Sequence, residues 1–149
     1  MSVDWDSRFL DLARYVGGWS KDRSRRVGCV IVGPHREIRA IGYNGFPRGI
    51  DDDTAARHER PSKYLWTEHA ERNAIFEAAR VGTPLDGCTM YLPWFPCMAC
   101  ARAIVQVGIA RLVASQPDTL DPKWGEEFAA ALALLEEAKI PVEFMKPDT

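Results

Sequence analysis

Three features of the 149-residue sequence predict an α/β fold, a five-stranded mixed sheet sandwiched by helices in an α-β-α arrangement. A β-branched run, Val27 to Val32, is followed across Gly33-Pro34-His35-Arg36 by a second run, Glu37 to Gly42, and the pair reads as an antiparallel hairpin. In the second half, strand-like and helix-like segments alternate, and strands joined through helices run parallel with right-handed crossovers. The first segment, Asp4 to Val16, sets Trp5, Phe9, Leu12, Ala13 and Val16 three or four residues apart, an amphipathic helix fit to lie on a sheet.

Taken in order, that first helix ends at Gly17-Gly18, and the hairpin follows. From Tyr43 to Thr67 no period is sustained, because Asn44-Gly45, Pro47, Gly49, Asp51-Asp52-Asp53 and Pro61 break any regular element. A loop of this length in a small domain is expected to be functional or mobile. Glu68 to Val81 reads as a helix with a small apolar face of Ala70, Ala74, Ile75, Ala78 and Ala79. Thr67 is its expected N-cap, and Gly82-Thr83-Pro84 stops it. Thr89 to Leu92 is a third strand, Cys97 to Val107 a helix entered through Pro96, and Ala110 to Ala114 a fourth strand. Gly125 to Ala138 is a helix, and Pro141 to Met145 the fifth strand. No Pro/Gly/Ser linker divides the chain, so residues 1–149 are expected to form a single domain.

The totals exclude several classes. Nineteen basic residues against twenty-one acidic ones give a formal charge of -2, which is not the balance of a nucleic-acid binder. Met1 to Tyr15 holds no unbroken apolar run, so neither a signal peptide nor a membrane span is expected. Four cysteines do not make a secreted disulfide framework, and two of them form a metal-type pair that needs reduced thiols, which points to the cytoplasm.

Two stretches carry chemistry. Trp66-Thr67-Glu68-His69-Ala70-Glu71-Arg72-Asn73 sets a histidine and a carboxylate two residues apart at a helix start, and Pro96-Cys97-Met98-Ala99-Cys100 opens the next helix. A catalytic zinc takes three nitrogen or sulfur ligands from the protein and keeps the fourth tetrahedral position for water. His69, Cys97 and Cys100 make that set. Cys97 and Cys100, three apart, share a helix face, and a helix N-terminus favours their thiolate form. Glu71 is then the proton carrier beside the metal. Ala70, between them, leaves room for a ring and offers a backbone N–H to its carbonyl. A His-x-Glu with a distant Pro-Cys-x-x-Cys is the pattern by which zinc-dependent deaminases attack the amine-bearing carbon of a nucleobase. The same residues also suit a closed structural zinc whose fourth ligand is Cys29, Cys88 or His58, with Glu71 a solvated carboxylate.

Together with these motifs, Trp19-Ser20-Lys21-Asp22, the 27–32 and 42–49 stretches, Lys63-Tyr64 and the 103–109 stretch resemble the deoxycytidylate (dCMP) deaminase family of the cytidine-deaminase-like superfamily. The resemblance covers most of the chain. It implies a cytidine-deaminase-like fold, one catalytic Zn2+ per subunit, and hydrolytic conversion of dCMP to dUMP with release of ammonia. It further implies a homo-oligomer, dimer or hexamer, regulated in some members by deoxynucleoside triphosphates, and a contact from Asn44 to the sugar or base of the substrate. The chain departs from the family pattern at Trp66 and Glu68, and at Arg72, where Leu or Ala often follows the catalytic glutamate. The Arg23, Arg25 and Arg26 cluster is also heavier than the family pattern.

Ser24, Arg25 and Arg26, just before the first strand, can hold a 5′-phosphate by charge-assisted hydrogen bonds. Trp94 and Phe95 can enclose a base or pack in the core. Asn44 also suits a tight turn. Asp51-Asp52-Asp53 can attract Mg2+ carried by a regulatory nucleotide, or can form a solvated loop. His58 lacks the several Cys or His neighbours of a second zinc site, and His35 falls in the hairpin turn. Competing readings are deamination of another amino-heterocycle (free base, nucleoside, guanine or triazine), editing of a base in nucleic acid, and a zinc-stabilised binding protein without catalysis. Base editing calls for a basic C-terminal element, which Glu143 to Thr149 lacks.

Overall fold

The structure is a computed structural model and describes residues 3–145, so the end of the C-terminal stretch, residues 146–149, lies outside the described residues. Helix α1 (Trp5–Gly17) starts at Asp4, whose carboxylate accepts from the Ser7 backbone N–H at 3.1 Å. Strands β1 (Gly28–Val32) and β2 (Ile38–Tyr43) form the expected antiparallel hairpin, with Cys29 opposite Gly42. Helices α2 (Ala55–His58) and α3 (Lys63–Trp66) precede α4 (Ala70–Val81) and β3 (Thr89–Leu92). The chain closes with α5 (Met98–Gln106), β4 (Arg111–Ala114), α6 (Gly125–Glu137) and β5 (Val142–Phe144).

The sheet order is β2-β1-β3-β4-β5. The first three strands are antiparallel neighbours, whereas β3, β4 and β5 run parallel, as expected for strands joined through helices. Alternation along the strands divides the core. Val30, Val32, Tyr91 and Val113 face α1, where Phe9, Leu10 and Ala13 cover them. Cys29, Ile31, Met90, Leu92, Leu112 and Ala114 share the opposite face with α4, α5 and α6. Each fully buried large side chain there stabilises the fold by about 1.5–3 kcal/mol relative to exposure.

Two glycines set the distance of a helix from each face. A Cβ on Gly28 would lie 1.9 Å from the Ala13 carbonyl oxygen of α1, and one on Gly42 would lie 2.4 Å from both the Ala70 carbonyl oxygen and the Ala74 nitrogen of α4. At the other end of the sheet, the Arg111 guanidinium pairs with Asp6 on α1 and with Glu143 on β5, and Tyr91 donates to Asp6 at 2.7 Å.

Two expectations are corrected. The 43–67 segment is not wholly irregular, since α2 and α3 interrupt it, each four residues long and too short to show a period in the sequence. Helix α4 begins at Ala70 with His69 as N-cap, rather than at Glu68 with Thr67 as N-cap. Glu68 is held extended by a two-way backbone bridge to Gly45, at 2.8 and 3.1 Å, and this tertiary pairing overrides the local preference for helix.

Candidate active site

Helices α4 and α5 meet at their N-termini, and in each the N-cap is a residue singled out for metal binding. His69 has an extended N-cap conformation (φ -80°, ψ 154°), and so does Cys97 (φ -71°, ψ 172°). Neither side chain caps its own helix. Both are turned instead toward a common point. The His69 Nδ1 atom lies 3.4 Å from the Cys97 Sγ and 3.4 Å from the Cys100 Sγ, and the three donor atoms all fall within 4.8 Å of one another. That donor set, one nitrogen and two sulfurs, fits a tetrahedral zinc with one position left for water. Among the described residues it is the only cluster of three or more His, Cys, Asp or Glu donors able to hold a metal.

The three donors perturb one another's ionisation. The Cys97 thiol is lowered to about 3, chiefly by a hydrogen bond from Cys100, with His69 adding to the effect against the opposing desolvation. Cys100 moves up, because it gives that hydrogen bond to Cys97 and is buried. The hydrogen bond to Cys97 raises His69 against its burial. Glu71 is 3% exposed, and its burial raises its carboxyl pKa. It lies outside the three-donor group, on the first turn of α4.

These residues open into one cleft lined by His69, Ala70, Glu71 and Cys97 together with Asn44, Trp94, Phe95 and Phe128. Arg25, Arg60, Lys63 and Asp22 line the same cleft. Lys63, only 8% exposed, sits 3.4 Å from both Asp22 carboxylate oxygens and 3.3 Å from the Ser24 hydroxyl. Asp22 stays below the usual carboxylate range: burial opposes its ionisation, but the Arg25 and Ser24 backbone N–H groups and the Lys63 ammonium outweigh it.

The description of the matching family model is the cytidine and deoxycytidylate deaminase zinc-binding region, and it spans residues 3–116. The chain belongs to the cytidine and deoxycytidylate deaminase family. An uncharacterized deaminase in the luxG 3′ region of Aliivibrio fischeri is 39% identical over 149 residues, covering 99% of this chain and 98% of that protein. The deoxycytidylate deaminase of Homo sapiens is 37% identical over 116 residues, 74% of this chain, and the match spans 64% of the human protein. The dCMP deaminase of cyanophage S-TIM5, solved with dCMP and dUMP, superposes with a TM-score of 0.78 over 97% of this chain and 99% of that one, at 22% identity. That likeness establishes the deaminase fold expected from the sequence.

Within this deaminase the remaining sequence-singled residues fall as follows. Asn44 lines the cleft, but its carboxamide is engaged: Oδ1 accepts from the Val27 backbone N–H and Nδ2 donates to the Arg25 carbonyl, each at 2.9 Å. Ala70 is the first residue of α4, where a backbone N–H has no partner within the helix. Phe95 is buried and packs edge-on against Phe128. Trp94 carries the Arg25 guanidinium 3.8 Å above its ring. Ser24 and Arg26 are not among the cleft-lining residues. Ser24 reaches the cleft only through Lys63, and Arg26 Nε donates to the Asp22 carbonyl.

The three aspartates after Ile50 do not converge: Asp51 accepts from Asp53 and Thr54, while Asp52 pairs with Lys21 at 3.0 Å. His58 stacks on Phe46 and donates to the Asp52 carbonyl, and Cys29 and Cys88 are buried in the sheet region, so none of them joins the metal donors. Arg60, Trp124 and Phe128 were not legible as cleft residues. Trp124 and Phe128 follow the helical spacing of an ordinary core face, and Lys63 shows its role only once Asp22, far away in sequence, is folded beside it.

Proposed function

We propose that the chain is a zinc-dependent hydrolytic deaminase of a cytosine mononucleotide, converting dCMP to dUMP with release of ammonia. One observation carries the choice of substrate: the metal donors and Glu71 share their cleft with the cationic groups of Arg25, Arg60 and Lys63. A 5′-phosphate matches Arg25 and Arg60 and can share the Lys63 ammonium with Asp22, whereas a free base would make no use of the two arginines. The Arg25 guanidinium rests on Trp94, lines the cleft and has no carboxylate partner among the described residues.

His69, Cys97 and Cys100 would hold a zinc ion, which would act as a Lewis acid and lower the pKa of a bound water from about 15.7 to roughly 7. The chain's own side chains do the remainder. Glu71 takes a proton from the attacking water and gives it to the pyrimidine N3, and the second proton of that water passes through the same carboxylate to the departing amine, which leaves as ammonia. Its burial-raised pKa supports both the taking and the giving of that proton. Phe95, Trp94 and Phe128 wall the base from water, and the Ala70 N–H is available to the pyrimidine carbonyl. The likeness to the human deoxycytidylate deaminase supports the same substrate. Assembly as a dimer or hexamer belongs to this reading through the sequence resemblance.

Ammonia release from dCMP, deoxycytidine, cytosine, guanine and a triazine tests the proposal on zinc-loaded protein. Charge-assisted bonds to the phosphate are expected to favour dCMP over deoxycytidine in kcat/KM by about 10-fold to 100-fold. Turnover of a phosphate-free compound with none of dCMP overturns the substrate assignment.

A further inference from the structure

A helix usually satisfies its first N–H groups with a side-chain oxygen from its N-cap residue. At α4 and α5 that device is absent, because the N-cap residues are His69 and Cys97, neither of which caps its own helix and both of which turn toward the three-donor cluster. In each case a glutamate from outside the helix satisfies a different backbone N–H at the helix start, that of the N-cap residue or of the residue after it. The Glu68 carboxylate accepts from the His69 backbone N–H at 3.0 Å, and the Glu127 carboxylate, from α6, accepts from the Met98 backbone N–H at 3.0 Å. Glu68 is itself fixed. The same Oε1 atom accepts from Arg72 Nε at 2.6 Å, and its backbone is bridged both ways to Gly45. Both carboxylates also lie where the helix dipole favours negative charge.

We propose that Glu68 and Glu127 are positioning residues for the metal ligands, substitute caps that hold His69 and Cys97 in the N-cap conformation that aims their side chains at one point. Arg72 locks the first of them. Two of the three departures from the family pattern around the metal histidine, Glu68 and Arg72, are thus one device. It acts on the backbone of a ligand rather than on the substrate. Metal ligands depend on such outer partners for orientation, and the loss of one typically weakens metal affinity by about 10-fold to 100-fold. The inference rests on zinc occupying the His69, Cys97 and Cys100 site.

The test measures zinc affinity by chelator competition on the full chain, with the visible spectrum of the Co2+-substituted protein and the melting temperature of the metal-free protein alongside. Glu68→Ala and Glu127→Ala are expected to weaken zinc by about 10-fold to 100-fold and to alter the cobalt bands. Glu127→Gln, which keeps an acceptor oxygen, is expected to restore both. Arg72→Met, a partly exposed change that leaves the Glu68 cap in place but unlocked, is expected to give a smaller loss and keeps the idea testable if an alanine variant does not fold. A purely structural role would lower the melting temperature while leaving zinc affinity and the cobalt spectrum as in the wild type, and that result overturns the inference. A wild-type chain that takes up no zinc would instead overturn the metal reading beneath it.

Discussion

Gly42→Ala is a change of one methyl group, made on the sheet, that should be felt at the metal. Its Cβ would stand 2.4 Å from the Ala70 carbonyl oxygen and the Ala74 nitrogen and 3.0 Å from the Ala74 Cα, all backbone atoms of α4 with no side chain to swing aside. Ordinary contact is restored only if α4 retreats from β2 by roughly 1 Å. Helix α4 carries Glu71 and is entered through His69, whereas Cys97 and Cys100 belong to α5 and would stay behind. Overpacking of this kind destabilises by about 1–3 kcal/mol. For a chain of this size each kcal/mol lowers Tm by about 2–4 °C. The functional loss should be larger in proportion, because a displacement of about 1 Å at reacting groups lowers the rate by on the order of 100-fold. Thermal unfolding, zinc content and kcat/KM for dCMP on the same sample read all three. Wild-type kcat/KM at a lowered Tm would refute the claim that the β2–α4 distance sets the site.

Arg25→Ala is expected to lower kcat/KM for dCMP by about 10-fold to 100-fold while leaving deoxycytidine unchanged. Equal losses on both substrates would assign Arg25 to packing on Trp94. Zinc affinity should fall as the pH drops through the range in which His69, raised by its hydrogen bond to Cys97, takes up a proton, since metal and proton compete for the same atoms; a pH-independent Kd between pH 8 and pH 5 would contradict this. Asp6 is held below the usual carboxylate range first by Arg111 and also by Tyr91, against partial burial. A depressed carboxyl lends stability above its unfolded value, 3.8, and loses it as the pH falls through the folded value. Asp6→Asn should therefore lower Tm at neutral pH, with the deficit narrowing below that value. A deficit constant from neutral pH to pH 2 would exclude the ion pair as its cause.

The clustering of His69, Cys97 and Cys100 was readable before folding because a zinc site calls for those residue types and a helix imposes their spacing, with Cys97 and Cys100 one turn apart. The strand order was readable for a similar reason, since helical crossovers force β3, β4 and β5 to run parallel. What escaped depends on distant partners. Thr67 looks like a cap by local preference, yet the bridge from Glu68 to Gly45 moves the helix start to Ala70. Three neighbouring residues, Ser24, Arg25 and Arg26, look equivalent in sequence. The Asp22 carboxylate accepts from the Ser24 and Arg25 backbone N–H groups and turns the loop, so that only Arg25 of the three lines the cleft. Asn44 carried both a turn signal and a family signal, and its carboxamide secures the Arg25 and Val27 backbone.

Glu71→Gln tests the central claim most directly, because it keeps the shape of a buried side chain while removing its ability to carry a proton. Metal analysis and dCMP deamination would be measured on one preparation. The account predicts one zinc per chain, as in the wild type, with kcat lowered by about 100-fold to 10,000-fold. A zinc-replete Glu71→Gln protein that deaminates dCMP at the wild-type rate would contradict it.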